Sequence, residues 1–203
     1  MKHFSMIRSF HLADLLTLAN AFCGMGALFA VMHYLQNDGA GHLLFAALLI
    51  AMAAIFDLLD GRAARWRHVN SAIGKEMDSL ADTISFGVAP AVLAYGAGMQ
   101  GVWDQVILIY FVGCGVSRLA RYNITAEALS NGGAKVKYFE GTPIPTSVIL
   151  VIIVAVAVKQ GRFAGDLFWG SWTIGPWQLH PLVLLFALSG SLMISKTIRI
   201  PKF

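Results

Sequence analysis

The sequence predicts an all-α integral membrane protein, a bundle of six transmembrane helices with both termini cytoplasmic, and three observations carry the prediction. Of 203 residues, 57% are hydrophobic and only 13% charged, about half the charge of an ordinary soluble domain. With a mean hydropathy of +0.67, the apolar residues gather in long runs divided by short polar stretches, as in chains whose mass lies in hydrocarbon. The basic residues fall in alternate connections, which sets the orientation.

A spanning helix needs about 20 mostly apolar residues, which places spans near 14–35, 41–60, 79–99, 102–122, 143–159 and 180–196. The first is too long for the apolar core of a signal peptide and has Asn20 where a cleavage motif would stand, so it is read as a retained helix. A long polar connection with a turn around His68 to Ser71 joins the second span to the third. The stretch 123–142, rich in Gly, Lys and Asn, is the longest cytoplasmic connection, and Pro143 and Pro145 set the start of the fifth span. Residues 160–179 read as an interfacial loop with the indoles of Trp169, Trp172 and Trp177 at headgroup level. No repeat divides the chain, so 1–203 is one domain and a transporter of inverted halves is disfavoured.

Thirteen of the fifteen Lys and Arg residues share one side: Lys2 and Arg8; Arg62, Arg65, Arg67 and Lys75; Arg118, Arg121, Lys135 and Lys137; Lys196, Arg199 and Lys202. Only Lys159 and Arg162 fall opposite, so the termini and both long polar connections are expected in the cytoplasm. The net charge of +4 is then accounted for by anionic headgroups, and no nucleic acid is needed as a partner. Cys23 and Cys114 lie in apolar runs as small hydrophobes. The six histidines show no i, i+4 pair and read as interfacial or polar-end residues.

Four of the eight Asp residues, Asp57, Asp60, Asp78 and Asp82, fall within 26 residues at the facing ends of the second and third spans. A carboxylate near hydrocarbon is costly and normally has a partner and a function. Asp57 and Asp60 stand at i, i+3, with Gly61 and Ala64 continuing that region; Gly74, Asp78 and Asp82 stand at i, i+4, i+8. If the turn brings the helices together, four carboxylates converge on one pocket of the hard oxygen ligands that divalent cations prefer. Gly61, Ala64 and Gly74 would let a bulky ligand approach the backbone, and Arg65 could pair with a phosphate. A divalent-cation transporter remains an alternative of another class, although its acidic groups should recur along a path through the bilayer.

Residues 57–82 read Asp57, two residues, Asp60-Gly61, two residues, Ala64-Arg65, eight residues, Gly74, three residues, Asp78, three residues, Asp82. This run resembles the complete signature of the CDP-alcohol phosphatidyltransferase family, all eight positions matching in type and spacing, and the six spans are similar to that family's fold. The resemblance implies that Asp57, Asp60, Asp78 and Asp82 hold two divalent metal ions, Mg2+ or Mn2+, and that Asp82 is also the general base. It assigns Gly61, Ala64, Arg65 and Gly74 to the CDP-lipid site. The reaction implied is displacement of CMP from CDP-diacylglycerol by the hydroxyl of a small alcohol, and a homodimer is implied with it.

Three further stretches resemble the serine-accepting branch: Leu15 to Gly24, Ser117 to Asn123, and Phe139 to Pro145, where Thr142 replaces the more usual Leu of Gly-Leu-Pro. Arg118 and Arg121 are i, i+3 neighbours, and a guanidinium can grip the carboxylate of L-serine in bidentate fashion. Together with Asn123 they form the candidate acceptor pocket, while glycerol 3-phosphate or inositol phosphate would also want cations. Asn20 either hydrogen-bonds between helices or touches the nucleotide, and is grouped with the CDP-lipid residues.

Overall fold

The computed structural model describes residues 12–37, 39–67, 72–130, 138–195 and 199–201. The two chain ends, the turn at His68 to Ser71, and Lys135, Lys137 and Lys196 lie outside the described residues. Helices dominate: α1 (Leu12–Asn37), α2 (Ala40–Arg67), α3 (Ala72–Asp82), α4 (Ala89–Gly96), α5 (Val102–Ser130), α6 (Val148–Lys159) and α7 (Leu184–Ile194). Three stretches, Ala13–Asn37, Ala40–Arg62 and Val102–Ile124, are long and apolar enough to cross a membrane. The apolar helices at Ile144–Lys159 and Pro181–Ile194 are shorter, roughly 24 and 21 Å at 1.5 Å per residue, against about 30 Å of hydrocarbon.

The third apolar run differs most from its expected form. Helix begins at Ala72 rather than 79 and continues to Gly96 through a π-helical turn, Thr83–Val88. There the Ala89 amide donates to Ile84 O, five residues back. Pro90 supplies a reason: it has no N–H, and its ring crowds the carbonyl four residues earlier, that of Phe86. A widened turn accommodates both.

Helices α1 and α2 pack along each other, and α1 also contacts α3, the π turn and α4. The buried core runs through Ile50, Phe86, Leu93 and Val154, with Phe111 of α5 set edge-on to Phe186 of α7 at 5.3 Å between ring centroids. The connection expected at 123–142 is partly helix, because α5 runs on to Ser130.

Two short sheets qualify the all-α expectation. Strand β1 (Tyr138–Glu140) pairs antiparallel with β4 (Arg199–Pro201), and β2 (Trp172–Ile174) pairs with β3 (Trp177–Leu179). The second is a hairpin in the expected Trp-rich segment, and its indoles are exposed together with Trp169. Pro143 stands where a 3-10 turn, Ile144–Ser147, leads into α6, as expected of the two prolines.

Not every histidine is a polar-end residue. His180 is buried, its Nδ1 2.6 Å from Asp104 Oδ2, while its amide donates to Asp104 Oδ1 at 2.8 Å. The Gly101 amide also donates to Asp104 Oδ2, at 2.9 Å. A carboxylate in the first turn of α5 thus fastens the hairpin to the helix. Asp104 is fourteen residues before Arg118, about 21 Å along the axis, so this knot lies at the end of α5 remote from the acidic residues.

Candidate active site

Asp57 and Asp60 belong to the C-terminal half of α2, and Asp78 to α3 one turn after Gly74. The two helices meet so that Asp57, Asp60 and Asp78 each offer a carboxylate oxygen within 4.8 Å of the others. At an effective dielectric of about 20, three such charges would repel by roughly 3–4 kcal/mol a pair. Among the described residues no ion pair to these three carboxylates is seen, in contrast to Asp104, which His180 approaches to 2.6 Å. Asp60 is 6% exposed, and Asp78 has a buried Oδ1 with no hydrogen-bond partner. Hard oxygen donors, mutual repulsion and an unsatisfied buried oxygen together fit a divalent cation.

Asp82, the fourth carboxylate expected here, adjoins this group without falling within that distance. It stands one turn beyond Asp78, 6% exposed, and its Oδ1 accepts from Asn20 Nδ2 at 3.2 Å. Across a cavity of about 200 Å3 it shares walls with Lys75, Asp78, Ser79, Arg118 and Asn123. Arg118 has a buried Nε without a partner. Asn123 donates from Nδ2 to Ser79 Oγ at 3.0 Å and also reaches the Glu76 carboxylate. Lys75 Nζ donates to Asn123 O at 3.3 Å and lies 5.8 Å over the Tyr122 ring.

Of the expected acceptor residues, the structure brings Arg118 and Asn123 to this cavity and leaves Arg121 off its wall. Arg121 is exposed and donates to Ile194 O at 3.5 Å, at the end of α7. Lys75 and Ser79 were not singled out by sequence, although Lys75 stands three residues before Asp78 and Ser79 three before Asp82, where helical spacing could have flagged them. Gly61 is half-buried, and a Cβ there would meet nothing within 4 Å among the described residues. Gly74 is half-buried on α3. Ala64 and Arg65 continue the backbone of α2, but their side chains lie outside the described residues.

The far wall depends on Gly141. Its φ is +74°, a conformation that favours glycine, and a Cβ there would run into the Met193 carbonyl. The next amide, of Thr142, donates to Leu192 O at 3.3 Å. The segment entering α6 is thereby held against the end of α7, with Pro143 facing the cavity.

A carboxylate cluster beside a cavity bearing cations matches one known pattern across most of the sequence. The model of the CDP-alcohol phosphatidyltransferase family fits residues 10–177. The chain belongs to the CDP-alcohol phosphatidyltransferase family. That membership sets aside the cation transporter left open by the acidic residues alone. Among relatives of this phosphatidyltransferase, a Saccharomyces cerevisiae protein named CDP-diacylglycerol–serine O-phosphatidyltransferase is 40% identical over 203 residues, covering 98% of this chain and 74% of its own length. A Helicobacter pylori protein of the same name is 33% identical over 196 residues, covering 94% and 71%. An archaetidylserine synthase of Methanothermobacter thermautotrophicus is 39% identical over 143 residues, covering 69% and 55%.

Proposed function

We propose that this phosphatidyltransferase moves the phosphatidyl group of CDP-diacylglycerol to the hydroxyl of L-serine, giving phosphatidylserine and CMP. The names of the relatives support serine as acceptor. The observation that carries the reading is the cavity lined by Asp78 and Asp82 together with Arg118 and Asn123. Arg118, with its unpartnered Nε, would grip the serine carboxylate, and the polar wall of Asn123 and Ser79 would orient the rest of the molecule.

Asp82 takes the hydroxyl proton, because an alcohol is a poor nucleophile until a base within hydrogen-bond reach removes it. The serine oxygen then bonds to the phosphorus that carries diacylglycerol as the bond from that phosphorus to CMP breaks. Asp57, Asp60 and Asp78 would hold divalent metal, Mg2+ or Mn2+, with Asp82 beside them. When bound, a pair of such ions neutralises pyrophosphate charge and clamps the attacking and leaving oxygens. Gly61 and Gly74, with Ala64 and Arg65, would border the nucleotide. Six spans with both termini cytoplasmic would put the polar end of the site where CDP and serine arrive and leave the acyl tails among the helices; the segregation of thirteen basic residues supports this orientation.

The test is CMP release by purified protein in detergent with CDP-diacylglycerol and a divalent metal, comparing L-serine, glycerol 3-phosphate, inositol phosphate and no acceptor. Serine-dependent release is expected. Release with another alcohol instead would overturn the acceptor assignment to Arg118, and no release with any of them would overturn the activity.

A further inference from the structure

The stretch Leu15 to Gly24 carries two buried polar side chains, which the reaction as described does not use. Thr17 and Asn20, one turn apart on α1, are 4% and 0% exposed. Polar side chains inside an apolar bundle need partners, and theirs are the signature carboxylates. Thr17 Oγ1 lies 2.8 Å from Asp60 Oδ2 and 3.1 Å from Ala13 O. A hydroxyl has one hydrogen, and the shorter, charge-assisted bond to the carboxylate takes it. Asn20 Nδ2 donates to Asp82 Oδ1, while its own Oδ1 is buried without a partner. An asparagine that leaves one end unsatisfied is kept for the other end, the donor that reaches Asp82.

Helix α1 is itself locked to the segment that follows Asp82. Ser85 Oγ in the π turn donates to Asn20 O at 3.0 Å. At Gly24, one turn on, a Cβ would lie 2.9 Å from Ser85 Cα, so only glycine permits this approach. Thr17, Asn20 and Gly24 stand at i, i+3, i+7 on a single face.

We propose that Thr17 and Asn20 are positioning residues: Thr17 fixes the Asp60 carboxylate within the metal-binding group, and Asn20 fixes the Asp82 carboxylate as base. This rests on the metal and base roles given above and replaces nucleotide contact as the task of Asn20. The terminal torsion of an Asp side chain is broad, so an unanchored carboxylate would swing. One hydrogen bond to one oxygen sets its plane and leaves the second oxygen for the ion or the hydroxyl proton. Partners of this kind typically carry about 10- to 100-fold in metal affinity or activity when removed.

The test uses the full-length protein in detergent, with Mn2+ binding followed by electron paramagnetic resonance and kcat and KM measured for both substrates. Thr17→Val is expected to weaken Mn2+ binding about 10- to 100-fold, and Thr17→Ser, which keeps the hydroxyl, to restore it. Asn20→Ser, small enough to fit the same space but too short to reach Asp82, is expected to lower kcat about 10- to 100-fold with the KM for CDP-diacylglycerol unchanged. Wild-type Mn2+ affinity in Thr17→Val, or a loss in Thr17→Ser as large as in Thr17→Val, would overturn the role of Thr17. A raised KM for CDP-diacylglycerol at unchanged kcat in Asn20→Ser would return that residue to the nucleotide. Mn2+ binding needs no acceptor, so a wild type that binds Mn2+ yet releases CMP with another alcohol removes the serine assignment and leaves this proposal standing.

Discussion

Arg118 and Arg121 lie one turn apart on α5, yet only Arg118 faces the cavity, while Arg121 reaches the last carbonyl of α7. Hydrogen bonds to charged groups contribute about 1.5–3 kcal/mol, so Arg118→Ala should raise the KM for serine about 10- to 100-fold. Arg121→Ala should leave that KM near wild type, and steady-state kinetics separates the two. Asp82→Asn keeps the shape and removes the base; CMP release should vanish while equilibrium binding of CDP-diacylglycerol persists. At the remote end of α5, His180→Ala would strip the fully buried Asp104 carboxylate of a partner. The cost should be about 1–3 kcal/mol, visible as a lower thermal midpoint in detergent with serine turnover unchanged at low temperature. The spacings of Asp57 with Asp60 and of Asp78 with Asp82 could be read from sequence because helical periodicity is local, whereas their convergence depends on how the two helices meet. The Asp104–His180 pair could not, since 76 residues separate partners that only the packed hairpin brings together.

At the scale of elements, the π turn at Thr83–Val88 decides which way Asp82 points relative to α4. Deleting Ile84 would remove the residue that widens the turn and rotate Asp82 by one residue against Asn20. Circular dichroism should show undiminished helix, and kcat should fall about 100-fold, the order expected for an ångström-scale misplacement. Nothing in the apolar run 79–99 announces this turn except Pro90, which is as compatible with a kink as with a π register. The start of α3 at Ala72 was hidden for another reason: its first two turns mix Lys75, Glu76 and Asp78 with apolar residues, and a hydropathy window sees only a polar connection. Strands of three residues, as in β1 to β4, are too short for a period-two pattern to emerge.

For the whole molecule, the long spans were legible because hydrocarbon demands about 20 apolar residues in a row, and the matches at α1, α2 and α5 lie within a few residues, apart from the polar extensions of α2 and α5. The orientation is open to a direct check. Gly161→Cys, beside Lys159 and Arg162, should react with an impermeant maleimide added outside intact cells, whereas Asn131→Cys should react only after permeabilisation. The cavity proposed for the acceptor was half legible: Arg118 and Asn123 follow from one helix, but Lys75, Ser79 and Pro143 come from two other segments that only folding gathers. The Gly141–Thr142 contact with Leu192 and Met193, continued by β1 on β4, also fixes an order of events in synthesis. A nascent chain that has emerged as far as α6 already carries all four signature aspartates and Arg118. The segment bearing Pro143 can pack early on the π turn and α5, but its hold through Gly141 and Thr142 waits for Leu192 and Met193, so this wall of the cavity is fastened only after α7 has emerged.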